Sequence, residues 1–353
     1  MNSSNKKTNI VDNDIITQNL TDSRKPSKKT NQISDFTESV FDIKLKDWMN
    51  IPEIQKLLPT IHKKTHVRFI IENTSTAFVN ALRRTLMSGV PTYSMQATFI
   101  REENTDKHLL ADMIENRIGN IPLDQKTPLG TKFELKVMNK TKLPMTIRTS
   151  DIKILAEGGP VSAPFNMNII ICELQPNRSI RLSAKIAQAI AYNNNAIYSS
   201  AFNVAAVAQD IQPLNLYEKD PKLRGVSSAV ARPTKYRLQF NTNGNINTKM
   251  LLILACEQII KRLRKFIIVL KNHNKSIIGE YTIKIPGEDD TLGELIAYGV
   301  YCRGGITCEA HNSSLDATLT ISCKWSGDID MPAVLVSVAD DLIAEYIEFV
   351  KLL

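Results

Sequence analysis

Two stretches of this chain place an apolar residue every three or four positions along the length of a long helix, and nothing else constrains the fold as tightly. In the first, between Thr248 and Leu270, the residues are Leu252, Cys256, Ile259, Leu263, Phe266 and Leu270. In the second, between Asp330 and Leu353, they are Leu335, Val338, Leu342, Tyr346, Phe349 and Leu353. Alternating steps of three and four keep side chains on one side of a helix and draw a coiled-coil-like seam. The first helix is expected to run roughly 33 Å at about 1.5 Å per residue. Each seam must be covered, and laying one helix on the other would bury on the order of 1,000 Å², enough for a stable interface. The pairing is expected within the chain. Exchange between two chains would satisfy the same pattern.

The elements around the two seams follow one order. VRFII (67–71) reads as a strand. Asn73, Thr74 and Ser75 then offer capping oxygens for a helix over 76–88, in which Phe78, Leu82 and Leu86 form the buried face. Gly89 and Pro91 close that helix. MQATFI (95–100) is the next strand, and MIENRIGNIPL (113–123) a short helix or turn. YRLQF (236–240) then leads into the first long helix. After it, YTIKI (281–285), a GEDD turn (287–290), a short helix (291–300) and strands at 306–310 and 317–323 lead into the second, with Asp330 and Pro332 at its start.

Between these parts, residues 124–235 change grammar. FELKV (133–137), MTIRTSDIKI (145–154) and SIRLSAKIA (179–187) alternate apolar and polar residues with Pro, Gly and Asn between them, the mark of half-buried strands. The expected fold is α+β: two units built alike and paired through their long helices, with a β-rich domain inserted in the first. Residues 1–64 are expected to form a flexible extension, because up to about residue 40 they are rich in Asn, Ser, Thr and Lys and poor in aromatics. The basic stretch SRKPSKK (23–29) reads as a solvated tail or as a nucleic-acid or nuclear-import patch.

The formal net charge is +8. Such a balance suits acidic protein partners or proximity to nucleic acid, and does not choose between them. Lys261, Arg262, Arg264 and Lys265 contribute to it from the side of the first long helix opposite the seam, where solvation is expected. No apolar run is long enough to span a membrane, and the first residues do not read as a secretory signal. The five cysteines form no CxxC pair, so no disulfide framework or four-cysteine zinc site is expected and the compartment reads as reducing. Cys302 and Cys308 come nearest to a metal pair, against the plainer reading of two half-buried thiols. No Walker-type glycine loop, HExxH or Gly-x-Ser-x-Gly element occurs. The adjacent aspartates 289–290 and 340–341 lack the clustering a magnesium-dependent nucleotidyl transfer needs. No catalytic, cofactor-binding or metal-ligating residue is assigned.

The segment NTSTAFVNALRRTLMSGVPTYSM (73–95), followed by DMIENRIGNIPL (112–123), resembles the dimerisation domain of the RNA polymerase alpha family: bacterial alpha, the archaeal D subunit and the third-largest eukaryotic subunit. The resemblance rests on Asn80 to Arg84, Val90-Pro91 and Arg117 to Leu123. Residues 172–208 are similar to that family's second domain. There its Leu-x-Pro-Gly-Gln turn becomes Leu174, Pro176 and Asn177-Arg178, and Tyr198 to Asn203 replace its His-Ala-Lys-Trp-x-Pro segment. The C-terminal part resembles the small partner, the archaeal L-type and eukaryotic eleventh-subunit family. Its Glu-Asp-His-Thr-Leu-Gly-Asn-Leu signature is matched by Glu288, Asp289, Asp290, Thr291, Leu292, Gly293, Glu294 and Leu295.

The resemblance implies a non-catalytic assembly subunit of a DNA-directed RNA polymerase. A D-type half (65–123 and 236–272) would be joined to an L-type half (279–353), with 124–235 inserted. It implies contact with a large subunit through Asn80, Arg83 and Arg84, where each arginine either pairs across the interface or stays solvated. It assigns Arg117 to the same surface or to bracing the local fold. Large catalytic subunits and small assembly subunits are the implied partners, with DNA reached only through the complex. Because such fusions occur in large cytoplasmic DNA viruses, the fusion implies a viral source and a place in host cytoplasm or virion, with the nucleus as the alternative. The competing class is a stand-alone basic nucleic-acid-binding protein.

Overall fold

The structure, a computed structural model, describes residues 31–41, 64–155, 164–165, 168–191, 196–209, 233–272, 279–304, 306–313, 317–327 and 329–353. Strands β1 (Gln32–Phe41) and β2 (Lys64–Glu72) precede helix α1 (Thr76–Ser88), strand β3 (Thr92–Phe99) and helix α2 (Ala111–Gly119). Strands β4 (Lys132–Met138), β5 (Met145–Arg148), β6 (Ile152–Leu155), β7 (Ile170–Leu174), β8 (Ser179–Ala189), β9 (Ala201–Ala208) and β10 (Lys235–Thr242) follow. The long helix α3 (Thr248–Lys271) leads to β11 (Glu280–Pro286), α4 (Asp290–Arg303), β12 (Ile306–Ser313), β13 (Thr318–Trp325) and the terminal helix α5 (Met331–Leu352). The architecture is α+β, with antiparallel pairing throughout the described sheets.

Local chemistry starts each helix. Ser75 accepts the Phe78 N–H in front of α1, and Asn247 accepts those of Lys249 and Met250 in front of α3. Asp289 caps α4 through Thr291, and Asp330 caps α5 through Ala333, with Pro332 in the first turn. Each cap satisfies donors that the first helical turn leaves without partners.

Two cores result. The first gathers β2, α1, β9, β10 and α3 with β11, α4, β13 and α5. Within it α3 and α5 lie against each other, and all of Leu252, Cys256, Ile259, Leu263, Phe266, Leu335, Val338, Leu342, Tyr346 and Phe349 are buried. Phe78 of α1 stacks on Tyr346 of α5, centroids 4.2 Å apart, and meets the edge of Phe349 at 5.6 Å. The second core lies within the sheet β3-β8-β4-β6, the ribbon β5-β7 and α2.

Close packing explains two glycines of α4. A Cβ on Gly293 would sit 2.7 Å from the Ala310 Cβ and 2.8 Å from Leu319 Cδ1. One on Gly299 would collide with Val338 Cγ1 of α5. At these two points α4 approaches its sheet and its neighbouring helix closer than any side chain allows.

Four elements depart from the sequence expectation. Residues 32–41, expected in the flexible extension, form an edge strand on β2, because Ile33 and Phe36 pack on the first core and Phe36 stacks on Phe69 at 5.4 Å. The rest of that extension, including the basic stretch 23–29, lies outside the described residues. Strand β3 and helix α2, expected with the first unit, belong to the second core: β3 pairs with β8 from Thr92↔Ala189 to Phe99↔Leu182. Conversely β9, expected in the insert, joins β10 in the first sheet, whose order is β1-β2-β10-β9. Asn177, where the related turn carries glycine, has φ of 58°, a left-handed conformation that asparagine tolerates.

Candidate assembly surface

Helix α1 buries Phe78, Leu82 and Leu86, and so turns Asn80, Arg83 and Arg84 outward. Asn80 and Arg83 stand one turn apart. The Asn80 side-chain oxygen accepts both Nε (3.0 Å) and Nη2 (2.9 Å) of Arg83. That fork holds the guanidinium along the helix surface, one nitrogen 3.7 Å from the Met87 sulfur. Arg84 turns the other way, to the turn that opens α4, with Nη2 at 3.7 Å from Asp289 Oδ2.

Arg117 does not join them. It lies on α2 and donates at 2.7 Å to the carbonyl of Ile171 in β7, bracing the helix on the β5-β7 ribbon. Asn80, Arg83 and Arg84 share α1, while Arg117, read either as part of that surface or as a brace of the local fold, sits in the second unit.

The turn at Glu288-Asp289 has a partner that periodicity did not announce. Arg262, expected on the solvated side of α3, donates from Nε to Glu288 (2.8 Å) and from Nη2 to Asp289 (2.5 Å). The two acidic side chains are only 6% and 9% exposed, against 26% for Arg262, so their charges depend on this contact. Burial opposes ionisation of Asp289, but Arg262, the Thr291 N–H and Arg84 outweigh it and hold the carboxyl below its ordinary value. Burial likewise opposes the charge of Arg262, and Glu288 and Asp289 hold its pKa above the ordinary value. Lys265 adds a looser contact to Glu288 at 3.6 Å. A basic residue one position from the seam, with an acidic pair at a helix start elsewhere, was the available signal. Thr291, Leu292 and Gly293 of the same turn are buried.

Cys302 and Cys308 are both half-buried thiols, as the plainer sequence reading had them. Cys308 faces Cys323 across β12-β13, sulfurs 3.3 Å apart, and Cys302 lies on α4. All five cysteines are free thiols. Among the described residues no group of three or more His, Cys, Asp or Glu could hold a metal, and no helix is long and apolar enough to cross a membrane.

Fold and surface together define an α+β protein organised around helix packing and an arginine–carboxylate junction between elements far apart in sequence. The chain belongs to the RNA polymerase Rpb3/Rpb11 dimerisation domain family, which it matches over residues 68–263. It is 38% identical over 89 residues to DNA-directed RNA polymerase subunit Rpo3 of Pyrococcus horikoshii, covering 25% of this chain and 32% of the relative. It is 24% identical over 179 residues to the Rpo3 subunit of Pyrococcus furiosus, covering 46% of this chain and 66% of the relative. The chain thus spans less than two thirds of the length of either relative. The family match ends within α3, and residues 279–353 lie beyond it.

Proposed function

We propose that this chain is a non-catalytic assembly subunit of a multisubunit DNA-directed RNA polymerase, with an alpha-like half and its small partner joined in one polypeptide. The observation that carries this reading is the single core shared by two regions: the family-matched elements β2, α1 and β10, and the elements after residue 279. In a two-chain arrangement that core would be an interface. Here β2, α1, β9, β10 and α3 supply one side and β11, α4, β13 and α5 the other.

In this reading Asn80, Arg83 and Arg84 form the contact with a large polymerase subunit. Arg83 is pre-positioned by Asn80, and a guanidinium so held loses less freedom when it takes up a partner carboxylate. Arg117 acts through the local fold instead. Further small subunits complete the assembly, and DNA is met through the complex. The joining of both halves supports a viral source, with activity in host cytoplasm or virion, or in the nucleus.

The test is capture of polymerase subunits by the tagged full-length protein from cells that make it. Large subunits are expected to co-elute with the unaltered protein and to be lost from an Arg83→Glu variant with an unchanged melting curve. Arg83 has no described acidic partner, so its reversal leaves the Asp289 junction alone. Retention of the large subunits by that variant would remove the assigned contact. Capture of none by the unaltered protein would remove the function.

A further inference from the structure

We propose that the outward face of α3 forms, with the end of α1 and the α4 turn, a docking cleft for an acidic segment of a protein partner that carries a large apolar side chain. Lys261, Lys265 and Ile268 follow one another at spacings of four and three, with Arg264 alongside, so they share one side of the helix. All four are exposed, Ile268 by 61%. They line a cleft of about 530 Å³, bounded opposite by Arg84 and Gly89. That volume suits a few side chains rather than a whole helix.

Charge decides the kind of partner. Five cations line the cleft and two carboxylates face them, Glu288 and Asp289. Both carboxylates are buried and engaged by Arg262, and the five cations leave a net surplus of three positive charges in the lining. Lys261 and Arg264 make no ion pair among the described residues, and Lys265 reaches Glu288 only at 3.6 Å. The surplus is therefore positive and faces outward around an exposed isoleucine. Arginine and lysine at the rim would take carboxylates, while Ile268 and Ile190 would cover an apolar anchor that the partner must otherwise hydrate.

Single-stranded nucleic acid fits less well. Sequence-tolerant binding of that kind relies on aromatic platforms for the bases, and none of the described lining residues is aromatic. The inference rests on the assembly reading only for the setting in which the partner is met.

The experiment is fluorescence anisotropy with the full-length protein at about 0.15 M salt, near physiological ionic strength. Three labelled probes are compared: a peptide of glutamates and leucines, the same peptide with serine for leucine, and a short single-stranded DNA. The leucine peptide is expected to bind about tenfold more tightly than either control. Lys261→Glu/Arg264→Glu is expected to weaken it about tenfold or more, and Ile268→Ser to abolish the preference for leucine. Equal binding by the charge-reversed variant would overturn the cleft, as would tighter binding of DNA that the same variant abolishes. Failure here is separable from failure of the assembly reading. A protein that captures large subunits but ignores the leucine peptide overturns the cleft alone. One that binds the peptide and captures no subunit keeps the cleft and overturns the assembly.

Discussion

The hydroxyl of Tyr346 donates to the backbone carbonyl of Phe78 at 3.1 Å, joining residues 268 positions apart. Tyr346 is fully buried, and its ring stacks on Phe78 besides. One residue thus ties the terminal helix α5 to the helix that carries Asn80, Arg83 and Arg84.

That tie can be divided into its polar and apolar parts. Tyr346→Phe keeps the ring and removes the bond, at an expected cost of about 1 kcal/mol. Phe78→Ala removes the ring and opens a cavity, at an expected cost of about 3–5 kcal/mol. Urea unfolding of the two variants measures both. Equal costs would mean that the buried Phe78 ring is worth no more than the single hydrogen bond.

Arg262 makes the closest ion pairs to two buried carboxylates, so its truncation is expected to cost more than loss of an ordinary surface ion pair. Arg262→Ala should destabilise on the order of 3 kcal/mol, because Glu288 and Asp289 are left buried with only the looser Lys265 and Arg84 contacts. The pH dependence follows from Asp289. Its folded value is depressed, so it contributes stability that is present above the unfolded value near about 4 and lost as pH falls through the folded value. In Asp289→Asn the acid limb of the stability curve should be shallower, and thermal melts between neutral and acidic pH would show it.

Glu345 on α5 carries the opposite sign. Burial raises its pKa, and the amide of Asn31 at 3.3 Å opposes that only in part. For a carboxyl whose folded value is raised, stability is highest below the unfolded value and declines as pH rises through the folded one. Glu345→Gln should therefore melt at a higher temperature than the parent at pH 7, and the gain should vanish under acid conditions where both are neutral. A lower melting temperature at pH 7 would contradict the assignment.

The approach of α4 to α5 at Gly299 gives a coupling test. Gly299→Ala would gain about 1 kcal/mol of helix propensity in isolation. Its methyl would collide with Val338 Cγ1, and overpacking of that kind costs about 1–3 kcal/mol. Adding Val338→Ala should recover part of the loss, so a double-mutant cycle should show non-additivity beyond about 0.5 kcal/mol. Additive losses would place the two residues out of contact.

Much of the helical framework was legible in the sequence because it rests on local chemistry. The Ser75 and Asp330 caps and both long helices lie where spacing and capping residues put them. What could not be read was mostly long-range. Nothing local in AFNVAAVA (201–208) says that it pairs with β10, and nothing local in TYSMQATF (92–99) says that it pairs with β8. Strand partners are chosen by the whole sheet, since alternation fixes which face is buried and not which neighbour is bonded. The same limit hid Arg262, whose carboxylates lie 26 and 27 residues further on. Asn80, Arg83 and Arg84 share α1, while Arg117, from the adjoining motif, is held elsewhere by the Ile171 carbonyl.

The most direct test of the joined-halves account is the mass of the purified protein in solution, by light scattering after size exclusion. A chain whose long helices cover each other internally should run as a monomer of 39.6 kDa at all concentrations tested. A stable dimer of twice that mass, dissociating only on unfolding, would mean that the seams of α3 and α5 are covered between chains, and would contradict it.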